Sequence, residues 1–176
     1  MRNTLSKFLT IAFVFVVAAC SNGAEQKNAP PSAPDTKPQA TPSNKFTAAD
    51  VAKLKWIEGA WQGMNGDDPF FERYRIEETA MVVETLEKDG SVDGPPERFE
   101  LTNGEFGKGE GEERSAASEI TDTSIQFVPA VPGKGNNFRF VKQQHGWDAI
   151  LEWPATADKP ARQKTYRMER WYLPDE

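Results

Sequence analysis

Four carboxylates, Glu72, Glu84, Glu100 and Glu152, fall within segments that alternate apolar and polar residues. On a strand every second side chain faces the same way, so a Glu on an inward face would be desolvated and its carboxyl pushed up. Two such groups together would form the acid-base pair that glycoside hydrolysis uses. The simplest placement leaves each of them in water, and a catalytic role is not the expectation. The single imidazole, His145, stands in Gln143-Gln144-His145-Gly146-Trp147 and reads as a solvated turn residue. Ser115, Ser118, Thr121 and Ser124 make a hydroxyl-rich stretch, but no Gly-x-Ser-x-Gly nucleophile elbow accompanies them. Gly107-Lys108-Gly109 has the composition of a phosphate loop without the Ser or Thr that should follow the Lys. Glu110, Glu112 and Glu113 beside it would repel phosphate, so it reads as a hairpin tip. Asn65-Gly66-Asp67-Asp68 offers oxygen ligands without the twelve-position spacing of a calcium loop, and reads as a turn. No cofactor and no metal is expected.

Composition narrows the field further. The 176 residues carry 27 acidic and 21 basic side chains, a formal charge of -6, one Cys and one His. A chain of that balance is not built to grip nucleic-acid phosphates. One Cys closes no internal disulfide and builds no Cys-rich zinc site.

That Cys has a specific setting. Arg2 and Lys7 precede an apolar run from Phe8 to Ala19, interrupted only by Thr10. A helix of this length spans roughly 18 Å, short of a hydrocarbon core about 30 Å thick, so residues 1–19 read as a cleaved export signal. The run ends Val17-Ala18-Ala19-Cys20-Ser21, which resembles the bacterial lipobox. The resemblance implies lipidation at Cys20 and attachment to a membrane through the N-terminal lipid. Ser21, rather than Asp, after the Cys implies the outer membrane, facing the periplasm. Residues 20–45 then form the lipidated Cys and a tether: Ser21 to Lys45 holds five Pro and no Val, Ile, Leu or aromatic residue. Such a segment buries too little apolar area to offset its ordering entropy and is expected to be disordered.

Residues 46–176 hold all five Trp and form the folded part. Thr47 and Asp50 open a short helix, with Val51, Leu54 and Ile57 on one face and Gly59 beyond its end. The period then changes to two. Phe70, Glu72, Tyr74 and Ile76 alternate with Phe71, Arg73 and Arg75; Met81, Val83 and Thr85 follow, then Phe99 and Leu101. Lys88-Asp89-Gly90, Asp93 to Pro96 and Asn103-Gly104 break the strands. Gly104 to Glu113 reads as an exposed hairpin or loop, with order resuming at Ile120. Ile125 and Phe127, Phe138 and Phe140, the run Trp147, Ala149, Leu151, Trp153, and Tyr166 to Tyr172 complete an all-β pattern. About eight to ten antiparallel strands in such a meander are expected to close into a β-barrel preceded by one short helix.

Leu54-Lys55-Trp56-Ile57-Glu58-Gly59-Ala60-Trp61-Gln62-Gly63 resembles the opening motif of calycin-type barrels, in which a helical turn leads to Gly-x-Trp on the first strand. It is similar in particular to bacterial lipocalin-like domains of unknown function, over roughly residues 50–103. The resemblance implies that Trp56, Gly59 and Trp61 are structural, and that Arg167 or Arg170 lies over Trp61 from the last strand. The likeness to nitrobindin-like barrels also raises haem ligation by His145, which no second His supports. Trp147 and Trp153, six apart on one strand face, with Tyr74 and Phe99, are the candidate ligand contacts. The implied function is non-catalytic binding of a small apolar or amphipathic ligand by a lipid-anchored envelope protein. The rivals are a filled barrel that meets another envelope protein and, behind it, a hydrolase-like enzyme.

Overall fold

Asp50 turns the extended chain into a helix by accepting from both the backbone N–H (2.9 Å) and the hydroxyl (2.8 Å) of Thr47. These bonds and Lys53, 2.8 Å away, lower its carboxyl to about 2. Helix α1 (Ala48–Ala52) runs directly into a 3-10 helix (Lys53–Ile57), and their shared apolar face is fully buried at Val51, Leu54 and Ile57. The structure, a computed structural model, describes residues 45–172. The segments read as an export signal and a tether, Cys20 included, lie outside the described residues except for Lys45.

Ten strands follow: β1 (Gly59–Asn65), β2 (Asp68–Ile76), β3 (Ala80–Leu86), β4 (Glu97–Thr102), β5 (Glu105–Lys108), β6 (Ser115–Ile120), β7 (Ser124–Pro129), β8 (Asn137–Gln143), β9 (Gly146–Trp153) and β10 (Arg162–Arg170). Each pairs antiparallel with the next, and β10 returns to β1, so the sheet is a closed barrel with no free edge. The seam is held by Trp61 opposite Arg170 and Gln62 opposite Glu169.

Two expectations are corrected here. The stretch from Gly104 contains β5, whose Phe106 is fully buried, and order resumes at Ser115 rather than Ile120. Strand β5 is hard to read because Gly107 interrupts it. A side chain at Gly107 would collide with the Ser115 carbonyl on β6, so close strand approach, not flexibility, selects the glycine.

Connections alternate between two ends of the barrel. At one end they are short: Glu77 to Thr79, Asn103-Gly104, Thr121 to Thr123 and Gln144-His145. Asn103 and Gly104 both take positive φ, 54° and 85°, as a tight hairpin turn between right-twisted strands requires. The helical segment closes this end: Phe46 N–H donates to the Gly104 carbonyl (2.7 Å) and the Ile76 N–H donates to the Glu58 carboxylate (3.1 Å). At the other end, after the tight Gly66-Asp67 turn, residues 87–96, 109–114, 130–136 and 154–161 form longer loops.

The strands' two faces separate by chemistry. Outside lie the ion pairs Arg73–Glu84 (2.7 Å), Arg75–Glu84 (3.1 Å) and Arg98–Glu100 (3.1 Å). Val82, on that outer face, is only 1% exposed, with Arg75 and Arg98 as its cross-strand neighbours. Their aliphatic stems account for its cover. Inside, Phe99, Phe106, Phe127, Phe140 and Trp147 join the helical segment in one core.

Candidate functional site

Gly59 begins the site's foundation. Its φ is +110°, and a Cβ there would strike the guanidinium of Arg170. The absent side chain lets Arg170 reach in from β10, donate to the Glu58 carbonyl (2.6 Å) and lie 4.9 Å from the centre of the Trp61 ring. Trp61 in turn donates its indole N–H to the Ile57 carbonyl (2.6 Å), tying the helical plug to β1. Arg167 does not share this place: it is on the outer face, bonded to Asp148 at 2.6 Å. Asp148 also accepts from Gln143 at 2.8 Å. Trp56 is half-buried against the core, and its indole N–H has no hydrogen-bond partner among the described residues.

Above Trp61 stands Trp147, fully buried, edge-on to Trp61 (6.1 Å between ring centres) and to Tyr74 (5.3 Å), with Phe140 at 4.9 Å. This aromatic layer is the floor of a cavity of about 600 Å³ that opens at the long-loop end. Its space follows from the sequence: on β9 the inward residue between Phe140 and Tyr166 is Ala149, and Val83 is inward on β3. Small residues thus stand beside large rings in the wall.

The walls are mostly aromatic. Phe70, Phe99, Phe138 and Tyr166 line them, with Tyr74 and Phe140 at the base and Leu151 and Met168 between. Phe138 stacks on Phe127 (4.6 Å), and Phe70 meets Tyr166 edge-on (5.4 Å). Trp153 is not part of the wall; it flanks a shallow neighbouring cleft, with the Arg162 guanidinium 4.2 Å over its ring. Of the four candidate contacts, Tyr74 and Phe99 therefore line the cavity, Trp147 underlies it and Trp153 stands beside it.

One carboxylate enters this apolar space. Glu72 is on the inward face of β2, and the Tyr74 hydroxyl donates to its Oε2 at 2.6 Å. Its other oxygen, Oε1, meets no donor among the described residues. Burial, reinforced by Glu97, pushes the Glu72 carboxyl up, against the Tyr74 bond and the charge of Lys108. The Tyr74 hydroxyl is itself pushed well above its usual value by burial and the neighbouring Glu72. At the mouth, Lys108 is paired with Glu97 (2.5 Å) and lies 5.1 Å over the Phe99 ring. The expectation that Lys108 is a solvated hairpin tip is corrected by this placement.

Glu84 and Glu100 stay on the outer face in ion pairs, and Glu152 lies 3.6 Å from Arg139. Glu72 is thus the exception to the expectation that all four face water. His145 is exposed in the β8–β9 turn at the short-turn end, and it lines neither this cavity nor the cleft beside Trp153. Among the described residues, no three His, Cys, Asp or Glu side chains are grouped to hold a metal ion.

The sequence signal for Glu72 lay in its neighbours: Phe70, Tyr74 and Ile76 share its face, and three apolar residues mark that face as the interior. Lys108 carried no such signal, because its strand is only four residues long.

Fold and cavity together define a class: a closed, ten-stranded antiparallel β-barrel, plugged at one end and open at the other onto an aromatic-walled cavity. No protein-family profile, no curated protein and no solved structure matches the chain.

Proposed function

We propose that this chain is a lipid-anchored binding protein of the bacterial cell envelope whose barrel takes up a small apolar or amphipathic molecule. The observation that carries the reading is the open cavity of about 600 Å³. That volume lies in the range of sites that enclose drug-sized ligands, and the composition is typical of them: apolar and aromatic walls with few polar groups. A barrel whose function lay only on its outside would have no need to leave its interior unfilled, since a void forfeits packing. The cavity therefore favours the binding reading over a filled interaction module. Glu72 is partnered by a tyrosine hydroxyl rather than by a second acid, which favours binding over acid-base catalysis.

The likeness to calycin-type barrels, which rests on the segment around Gly59 and Trp61, supports the same reading. The outer face carries ion pairs, unlike a barrel that meets lipid, so membrane attachment is assigned to Cys20. Cys20→Ala is expected to release the protein from membranes.

The test is native mass spectrometry of the full chain purified from cells without refolding, beside its Ala149→Trp variant. Ala149 lines the cavity, and an indole there takes up part of its space and narrows the rest. A co-purifying mass present in the unmodified chain and absent from Ala149→Trp is the expected result. A bare protein in both, with Ala149→Trp binding every added apolar probe as well as the parent does, would remove the cavity-binding reading.

A further inference from the structure

The polar groups of the cavity are unevenly matched, and the mismatch selects a ligand chemistry. The charged side chains that line it are Asp68, Glu72 and Glu97 on the acidic side and Lys108 alone on the basic side. Lys108 is committed to Glu97. A second ammonium, Lys164, stands at the rim, bonded to Asn65 at 2.6 Å and 4.6 Å over the Tyr166 ring. No cation among the described residues is bonded to Glu72, and only one of its oxygens has a donor.

The walls carry the same preference independently. Aromatic rings present a negative face, and a cation held near several of them is attracted, the more so when water is excluded. Lys108 over Phe99 and Lys164 over Tyr166 already show that two of these rings accept an ammonium. An anionic head would meet those same faces and the Glu72 carboxyl, while Lys108 is held by Glu97 and Lys164 lies at the rim on Asn65 and the Tyr166 ring.

We propose that the molecule this cavity takes is a cationic amphiphile, an amine on an aromatic or compact apolar body, with the amine seated on Glu72 and the body between Phe99, Phe138 and Tyr166. The proposal rests on the binding reading above and adds the ligand class to it. An ammonium there would donate to Oε1, form a charge-assisted hydrogen bond in a site poor in water, and leave the Tyr74 bond to Oε2 in place.

Calorimetric titration of the full-length chain with three naphthalene probes differing only in their heads provides the test: naphthylethylamine, naphthylethanol and naphthylacetate. The amine is expected to bind at least about tenfold more tightly than the alcohol, with the acetate weakest. Glu72→Gln keeps the side chain's size and its acceptor for Tyr74. It is expected to abolish the amine's preference over the alcohol. The comparison of heads in the unmodified chain stands even if that variant folds poorly. Acetate binding as tightly as the amine, or an amine preference that survives Glu72→Gln, overturns the assignment. Alcohol binding without any amine preference overturns it too while leaving cavity binding intact, and failure of all three probes overturns both.

Discussion

The hydroxyl of Tyr74 donates to the Glu72 carboxylate across 2.6 Å, two residues along the same strand and on the same inward face. Successive inward side chains on a strand are neighbours, so β2 alone builds this pair, and the barrel's contribution is to remove water from it. The folded state holds the Glu72 carboxyl above its ordinary value of 4.5. A group raised in this way contributes its full stability below the ordinary value and loses it as pH rises through the raised one. Glu72→Gln, neutral throughout, should therefore gain stability relative to the parent as pH rises above 4.5. Urea midpoints of both proteins across that range check this; a constant difference would mean Glu72 titrates as a solvated carboxylate does. Tyr74→Phe should push the carboxyl up further, read as a later Glu72 titration by NMR.

Gly59→Ala is expected to destabilise the protein by about 1–3 kcal/mol, because alanine is strained at a positive φ and its methyl displaces the Arg170 guanidinium. Arg170→Lys keeps the charge but loses the planar group over Trp61 and its bond to the Glu58 carbonyl. It should cost about 1 kcal/mol. In the double variant the two losses should not add, since Gly59→Ala already dislodges Arg170. Additive urea-denaturation energies would show the two residues to be uncoupled.

Trp147→Ala should cost about 3–5 kcal/mol, the usual toll of removing a large buried ring. Trp147→Phe should cost well under half of that. It retains an aromatic ring against Tyr74 and Phe140, and it removes an indole N–H that has no hydrogen-bond partner among the described residues. Equal costs for the two substitutions would indicate that the indole nitrogen is satisfied in solution.

Asp50 should make the helical plug acid-sensitive. Its carboxyl is lowered to about 2 by Lys53 and Thr47, so the stability it supplies is present above the ordinary value of 3.8 and lost as pH falls toward 2. Asp50→Asn should abolish that segment of the acid-denaturation curve and leave the neutral baseline nearly level. An unchanged acid limb would mean that other carboxylates govern it.

Much of this architecture is legible from alternation alone. The runs at Phe70 to Ile76, Met81 to Leu86, Phe138 to Phe140 and Trp147 to Trp153 all fall within observed strands, because one apolar face per strand is what a barrel interior demands. Alternation fails where small residues do the packing. Strand β6 buries Ala116 and Ala117 beside a register shift between Ala117 and Glu119, so no two-residue period survives there. Strand β5 is masked by Gly107. The cavity was less legible than the core that floors it. A sequence can mark Tyr74, Phe99 and Trp147 as inward, but depth along the barrel separates a wall residue from a floor residue, and depth depends on the stagger of all ten strands. Trp153 illustrates this: six residues from Trp147 on the same face, it lies beyond the cavity wall.

The seam between the first and last strands also sets a schedule. Trp61 has no partner on its open side until Arg170 arrives, and the two lie 109 positions apart in the chain. Without β10, the strands β1 and β9 each leave an edge unpaired and Trp61 lacks its cover. Closure is therefore a single late event, governed by loop entropy over nearly the whole domain rather than by local turns.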